Sequence, residues 1–151
     1  MVIKLKRTSQ EVVEPTLTGV GFIVTAHTIL KMYKGSKELD EHRLQFLQLS
    51  FQREGHINLR SFERVLVGTG VKVEEIQSVP DGYRPELQIR DRDNILLKRG
   101  IQVVPDIISD NLQNEIGITL INITPFLVEI HKSECVALVV PNLVPIIKTE
   151  I

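Results

Sequence analysis

At 151 residues the chain falls in the range of a single globular domain and is long enough to bury a substantial core. Its 18 Lys and Arg against 19 Asp and Glu exclude a nucleic-acid binder that works by bulk positive charge. The single cysteine excludes an intrachain disulfide framework, and no apolar run approaches the ~20 residues of a membrane-spanning helix.

Met1 to Arg7 is not followed by an apolar stretch of the kind a secretory signal needs, so a cytoplasmic location is expected (the host cytoplasm for a viral protein). Residues 2–5 alternate and predict a first strand, and Ser9 to Thr18 reads as a polar connection. Phe22, Val24 and Ala26 alternate against Ile23 and Thr25, the period of a short strand.

Residues 27–58 carry a different pattern, with Gly35-Ser36 as a turn signal. Leu39, Leu44, Leu47 and Phe51 stand near helical spacing within Lys37 to Gln52. A strand over Phe46 to Phe51 is the competing reading, and both versions must bury an apolar stripe against the core or another subunit.

Strands are then expected at Ile57–Leu59, Arg64–Gly68, Val71–Glu74, Glu86–Arg90, Ile101–Val103, Glu115–Leu120, Phe126–Ile130 and Val136–Val140. Leu87 and Ile89 fall on one face of their strand, and Gln88 and Arg90 on the other. Short strands punctuated by Gly, Pro and Asn predict an all-β barrel or double-sheet jelly roll. Cys135 is expected in its core, because a free cysteine behaves as a small hydrophobe. The tail from Pro141 to Ile151 is expected to form an edge strand that crosses to a neighbouring subunit.

Several segments recur in a recognisable order: Gly19-Val20-Gly21-Phe22, Thr69-Gly70-Val71-Lys72-Val73, the turn Pro80-Asp81-Gly82-Tyr83, Arg92 to Ile101, Ile107 to Ile116, and Leu120-Ile121-Asn122. This order resembles the dUTPase family, the trimeric dUTP diphosphatases related to the dCTP deaminases. The resemblance implies one dUTPase-like jelly-roll domain over residues 1–151, with 27–58 as an insertion (helix or hairpin). It also implies a homotrimer with its pockets between subunits.

The family's chemistry needs a carboxylate near its Ala-Gly-Phe-Asp segment to help hold magnesium, a hard cation that prefers oxygen ligands. It also needs an Asp in the substrate hairpin to activate water, a Tyr under the deoxyribose, and an Arg-Ser-Gly turn with a Gly-rich C-terminal arm around the triphosphate. The matching positions here are Ile23, Ser109, Leu112 and Arg92-Asp93-Asn94, with Asn114 at the hairpin glycine and no glycine after Gly117. A one-residue slip would bring Asp110 to the water-activating position. On the deaminase side, Thr119 replaces the general acid/base Glu.

These substitutions lead to the expectation of a non-catalytic dUTPase-fold protein of viral or phage type. It would bind a nucleotide, a nucleotide-derived ligand or a protein partner through Arg92, Asp93, Asn94, Ser109, Asp110 and Leu112, and would need no cofactor or metal. The alternative is an active or diverged dUTP diphosphatase, dependent on magnesium, with a carboxylate such as Asp110, Asp93 or Glu115 taking over the water. A structural subunit of a larger assembly is a third reading. Arg84, Arg90, Arg92, Lys98 and Arg99 form a basic concentration that reads as a solvated surface or an anion pocket. His27, His42, His56 and His131 lack the short spacings of a zinc site.

Overall fold

A computed structural model describes residues 1–151. The chain begins with β1 (Val2–Arg7), β2 (Thr16–Leu17), β3 (Phe22–Thr25), β4 (Thr28–Lys34) and β5 (Lys37–Glu38). One helix, α1 (Glu41–Glu54), leads into β6 (His56–Leu59), β7 (Arg64–Gly68), β8 (Val71–Gln77) and β9 (Tyr83–Arg90). After a 3-10 turn at Leu97–Arg99 come β10 (Ile101–Val103), β11 (Asp106–Ile108), β12 (Gly117–Asn122), β13 (Val128–His131) and β14 (Cys135–Pro145). The fold is therefore all-β, as the spacing of short strands implies.

Two five-stranded antiparallel sheets, ordered β10-β12-β7-β4-β5 and β11-β9-β14-β3-β2, are joined by the two-stranded pairs β1-β8 and β13-β6. Alternation sets which side chains face the core. On β12, Ile118, Leu120 and Asn122 point inward, while Gly117, Thr119 and Ile121 lie half-buried outside. All four residues of β3 are buried, so this strand has no solvent face and its two-residue period was only half of its environment.

The helical reading of Lys37 to Gln52 holds over Glu41–Glu54, and the competing strand at Phe46 to Phe51 does not form. Asp40 caps the N-terminus by accepting the Arg43 N–H at 2.9 Å, and Gly55, left-handed at φ 79°, ends the helix. Phe51 is buried, and Leu44 and Leu47 pack against the core beside it. Gln48 and Gln52 donate to the Ile29 and His27 carbonyls at 2.7 and 3.0 Å, fastening the helix to the start of β4. Within the same stretch, β4 bonds along β7 and lies inside the five-stranded sheet.

Three expectations are corrected. Residues 141–145 do not cross to a neighbour: they continue β14 along β9 of the same chain, with Pro145 opposite Tyr83. Beyond Val139 that strand has no partner on its β3 side, so Pro141 and Pro145 can sit beside an open edge without deleting an interior ladder bond. Cys135 is half-buried rather than in the core, because it stands at the strand end where a bulge interrupts the pairing with β3. Ser9 to Thr18 is more than a polar connection, since Val12 is buried and β2 pairs with β3.

Asn122 is the fully buried polar side chain with the largest hydrogen-bond set. Its Nδ2 donates to the carbonyls of Leu59 and Phe126 at 2.9 and 2.6 Å, and its Oδ1 accepts from the Thr124 N–H and hydroxyl at 2.8 Å each. Replacing it removes a donor from the Leu59 and Phe126 carbonyls and the acceptor of the Thr124 N–H, although the Phe126 carbonyl keeps the Thr124 hydroxyl at 3.1 Å. Asn122→Ala should cost about 2–4 kcal/mol in urea unfolding, with an unchanged denaturant slope.

Candidate active site

The segment after β9 forms the turn that corresponds to the phosphate-binding motif. Asp91 Oδ2 accepts the Asn94 N–H at 3.0 Å, and the Ile95 N–H reaches the Arg92 carbonyl at 3.1 Å. Asp93 and Asn94 are both left-handed, at φ 51° and 56°. Asn and Asp tolerate this region better than other non-glycine residues, which lets the turn form without the family's glycine.

Strand register brings this turn to a second motif. On β14, Leu138 pairs with Ile23 on one side and with Arg90 on the other. Ile23, Leu138, Thr18 and Val20 thus share one depression of about 210 Å³ with Asp91, Arg92 and Asp93. Ile23 is buried and offers no ligand atom, but two carboxylates stand on the wall of the same depression. Arg92 has no carboxylate within ion-pair distance, whereas Arg99 is held by Glu134 and the Glu129 carbonyl. The basic concentration seen in the sequence therefore separates, and Arg92 alone of its members lines this depression.

The hairpin residues lie elsewhere in the single chain. Asn111, Leu112, Gln113 and Asn114 line a depression of about 480 Å³ against Val73, Glu74, Glu75 and Ile76 of β8. Leu112 is half-buried and packs on the hydrophobic core, so it serves as an anchor for the hairpin. Ser109 is half-buried, and Asp110 is exposed beside the left-handed Asn111. Neither lines the depression at Arg92. The six expected ligand-binding residues thus form two groups, Arg92-Asp93-Asn94 and Ser109-Asp110-Leu112, which one chain does not unite.

Glu115 lines neither depression. Its Oε2 is buried without a hydrogen-bond partner, and a Cβ added at Gly68 would stand only 2.2 Å from it. His56 and His131, far apart along the chain, meet as a cross-strand pair that no local pattern signals, with ring centroids 5.9 Å apart and His131 Nε2 3.1 Å from Glu129 Oε2. No group of three His, Cys, Asp or Glu side chains is arranged to hold a metal ion. No helix is long and apolar enough to cross a membrane.

No family model matches the chain. Among curated proteins it is 41% identical over 95 residues to a deoxyuridine 5′-triphosphate nucleotidohydrolase of Hydrogenobaculum sp., covering 62% of this chain and 60% of that relative. It is 31% identical over 107 residues to the protein of the same name from Aquifex aeolicus, covering 70% of this chain and 66% of the relative. Among solved structures, a dUTPase mutant from phage phi11 of S. aureus superimposes with a TM-score of 0.64 at 14% identity, covering 100% of this chain and 95% of that one. The Staphylococcus phage 80alpha dUTPase gives 0.63 at 17% identity, covering 99% and 94%. The chain belongs to the dUTPase superfamily.

The shared fold is the dUTPase jelly roll. Membership corrects the expectation of a non-catalytic, sequestering protein that is not an enzyme. The relatives matched along the sequence carry the name of a nucleotide hydrolase, and that supports the enzymatic alternative. Ile23 stands where the family resemblance calls for a carboxylate, and Asp91 and Asp93 stand beside Ile23 in the fold. The first relative is matched over about three-fifths of its own length.

Because Leu112 is a packing residue, Leu112→Ala should destabilise the fold by about 1–2 kcal/mol, roughly half the cost at a fully buried leucine. Thermal unfolding checks this. A side chain serving only as a surface for a sugar would leave the melting temperature unchanged.

Proposed function

We propose that the protein is a diverged dUTP diphosphatase that converts dUTP and water to dUMP and pyrophosphate, acting as a homotrimer. The observation that carries the reading is the run of sequence identity to deoxyuridine triphosphate nucleotidohydrolases. It is supported by the depression where Arg92, free of any carboxylate partner, stands at a left-handed turn. A planar guanidinium of this kind suits a phosphate group.

Magnesium belongs to this reading, and the phi11 structure is described as revealing the coordination of a structural Mg(II) ion. Asp91 and Asp93 supply hard oxygen donors, although no protein cage of three ligands exists. They match the one or two carboxylates that a nucleotide-borne magnesium takes from a protein, its remaining ligands being phosphate oxygens and water. Asp91 and Asp93 would hold the ion, which would neutralise phosphate charge as the α–β bridge breaks. Without it, both carboxylates would repel the triphosphate.

Asp110 is the residue assigned to deprotonate the attacking water. It is exposed on the hairpin and does not line the Arg92 depression of its own chain, so in this proposal a second subunit brings the two groups together. The homotrimer meets that requirement. A single domain with residues 27–58 as an insertion, and a cytoplasmic location beside the nucleotide pool, are parts of the same proposal. A viral source is supported by the phage origin of the solved neighbours alone.

Pyrophosphate release from each deoxynucleoside triphosphate tests the proposal. dUTP should be turned over in magnesium and not in excess chelator, by an assembly three times the 17.1 kDa chain in sedimentation. Asp110→Asn should lower kcat by about 100-fold or more. Arg92→Ala should raise KM by about tenfold, which corresponds to the loss of one charge-assisted contact. A folded trimer that hydrolyses none of the triphosphates overturns the assignment.

A further inference from the structure

The helix between β5 and β6 exposes what a helix packed on a sheet normally covers. Leu44, Leu47 and Phe51 face the core, but Phe46 is 73% exposed and Leu49, three residues on, is 49% exposed. Phe46 is not isolated. With Leu39, Leu47 and Leu127 it lines a groove of about 360 Å³ between the helix, β4 and the loop preceding β13. Leu127 is 63% exposed and its neighbour Phe126 75%.

A second observation is independent of the groove. Phe62, in the turn between the groove residues Arg60 and Glu63, is 65% exposed and held at φ 61°. A bulky side chain is strained in the left-handed region, where glycine is not. The turn closes through Glu63 N–H to the Arg60 carbonyl and Phe62 N–H to the Asn122 carbonyl, bonds that a glycine at position 62 would also make. The aromatic ring contributes little burial within the chain to offset the strain.

Cations outnumber carboxylates in the lining of the groove. Lys34, Arg43 and Arg60 line it, against Glu63 as its one carboxylate, and Asp40 stands outside the lining 3.6 Å from Arg43 Nε. Glu63 is already engaged, its Oε1 by the Arg60 N–H at 2.7 Å and its Oε2 by Lys34 at 3.8 Å. The Arg60 guanidinium has no ion-pair partner.

We infer that this groove is a docking site for a segment of another protein, an acidic amphipathic peptide. Its apolar anchors would lie on Phe46 and Leu127, and its carboxylates would face Lys34, Arg43 and Arg60. Phe62 and Phe126 adjoin the groove residues Glu63 and Leu127 in sequence and add exposed aromatic surface. Helix-in-groove recognition of this kind reads anchors spaced i, i+3, i+7, with flanking charge selecting among partners of similar shape.

The test uses the full chain and two fluorescein-labelled peptides with the same Leu and Phe anchors, one flanked by Glu and the other by Lys. In anisotropy titrations the acidic peptide should bind at least tenfold more tightly than the basic one, and the preference should shrink as salt rises. Phe46→Ala and Leu127→Ala should each weaken binding at least tenfold without lowering the melting temperature. Phe62→Gly should raise the melting temperature while weakening the acidic peptide. Equal binding of both peptides, or none, overturns the inference. So does a Phe46→Asp chain whose sedimenting mass falls below that of the parent, because a second copy then covers the face.

Discussion

The position of β14 between β3 and β9 is the constraint on which the candidate active site rests. Antiparallel pairing fixes which residues stand opposite one another, and a slip of one residue would turn every side chain to the other face. Here Leu138 pairs with Ile23 on one side and Arg90 on the other, so motifs almost seventy residues apart in sequence converge on one depression. The same strand runs on to Pro145 along β9, and the Ile146 N–H reaches the Gly82 carbonyl at 2.8 Å. Residues 141–146 are thereby held by their own chain. Their prolines stand where the second edge is open, which limits unwanted strand addition.

This arrangement changes how the motif substitutions are read. Compared position by position, the chain replaces a metal carboxylate by Ile23, a water-activating Asp by Ser109 and a sugar-stacking Tyr by Leu112. In the fold, two of these substitutions have a local context. Ile23 is walled by Asp91 and Asp93, and the half-buried Leu112 packs against the core and anchors the hairpin. Two carboxylates beside one arginine repel a bare triphosphate but suit one that carries a divalent cation. Sign and distance of charge, rather than residue identity at a motif position, decide which of these applies.

The helical segment shows a related division of labour. Gln48 and Gln52 spend their side-chain amides on the backbone carbonyls of Ile29 and His27, which satisfies acceptors near the bulge of β4. That fixes the helix azimuth, leaving Phe51 inward and Phe46 outward. Two apolar stripes on one short helix cannot both be buried by a single sheet, and the outward one joins Leu127 in a groove ringed by Lys34, Arg43 and Arg60.

Alternation along Glu86–Arg90 and glycine and proline punctuation were sufficient to determine an all-β fold, whereas the spacing of Leu39, Leu44, Leu47 and Phe51 left a helix and a strand both open until the structure formed the helix over Glu41–Glu54. Motif order was sufficient to place it in the dUTPase superfamily. These features are local, or depend only on order along the chain, so a linear reading reaches them. The structure decided the rest. Cys135 lies at a bulge, Leu112 against the core, His56 beside His131, and Arg99 against Glu134 while Arg92 stays free. Each depends on which strands become neighbours and in what register. Register is set by burial of whole faces against one another, a long-range balance that no window of sequence contains.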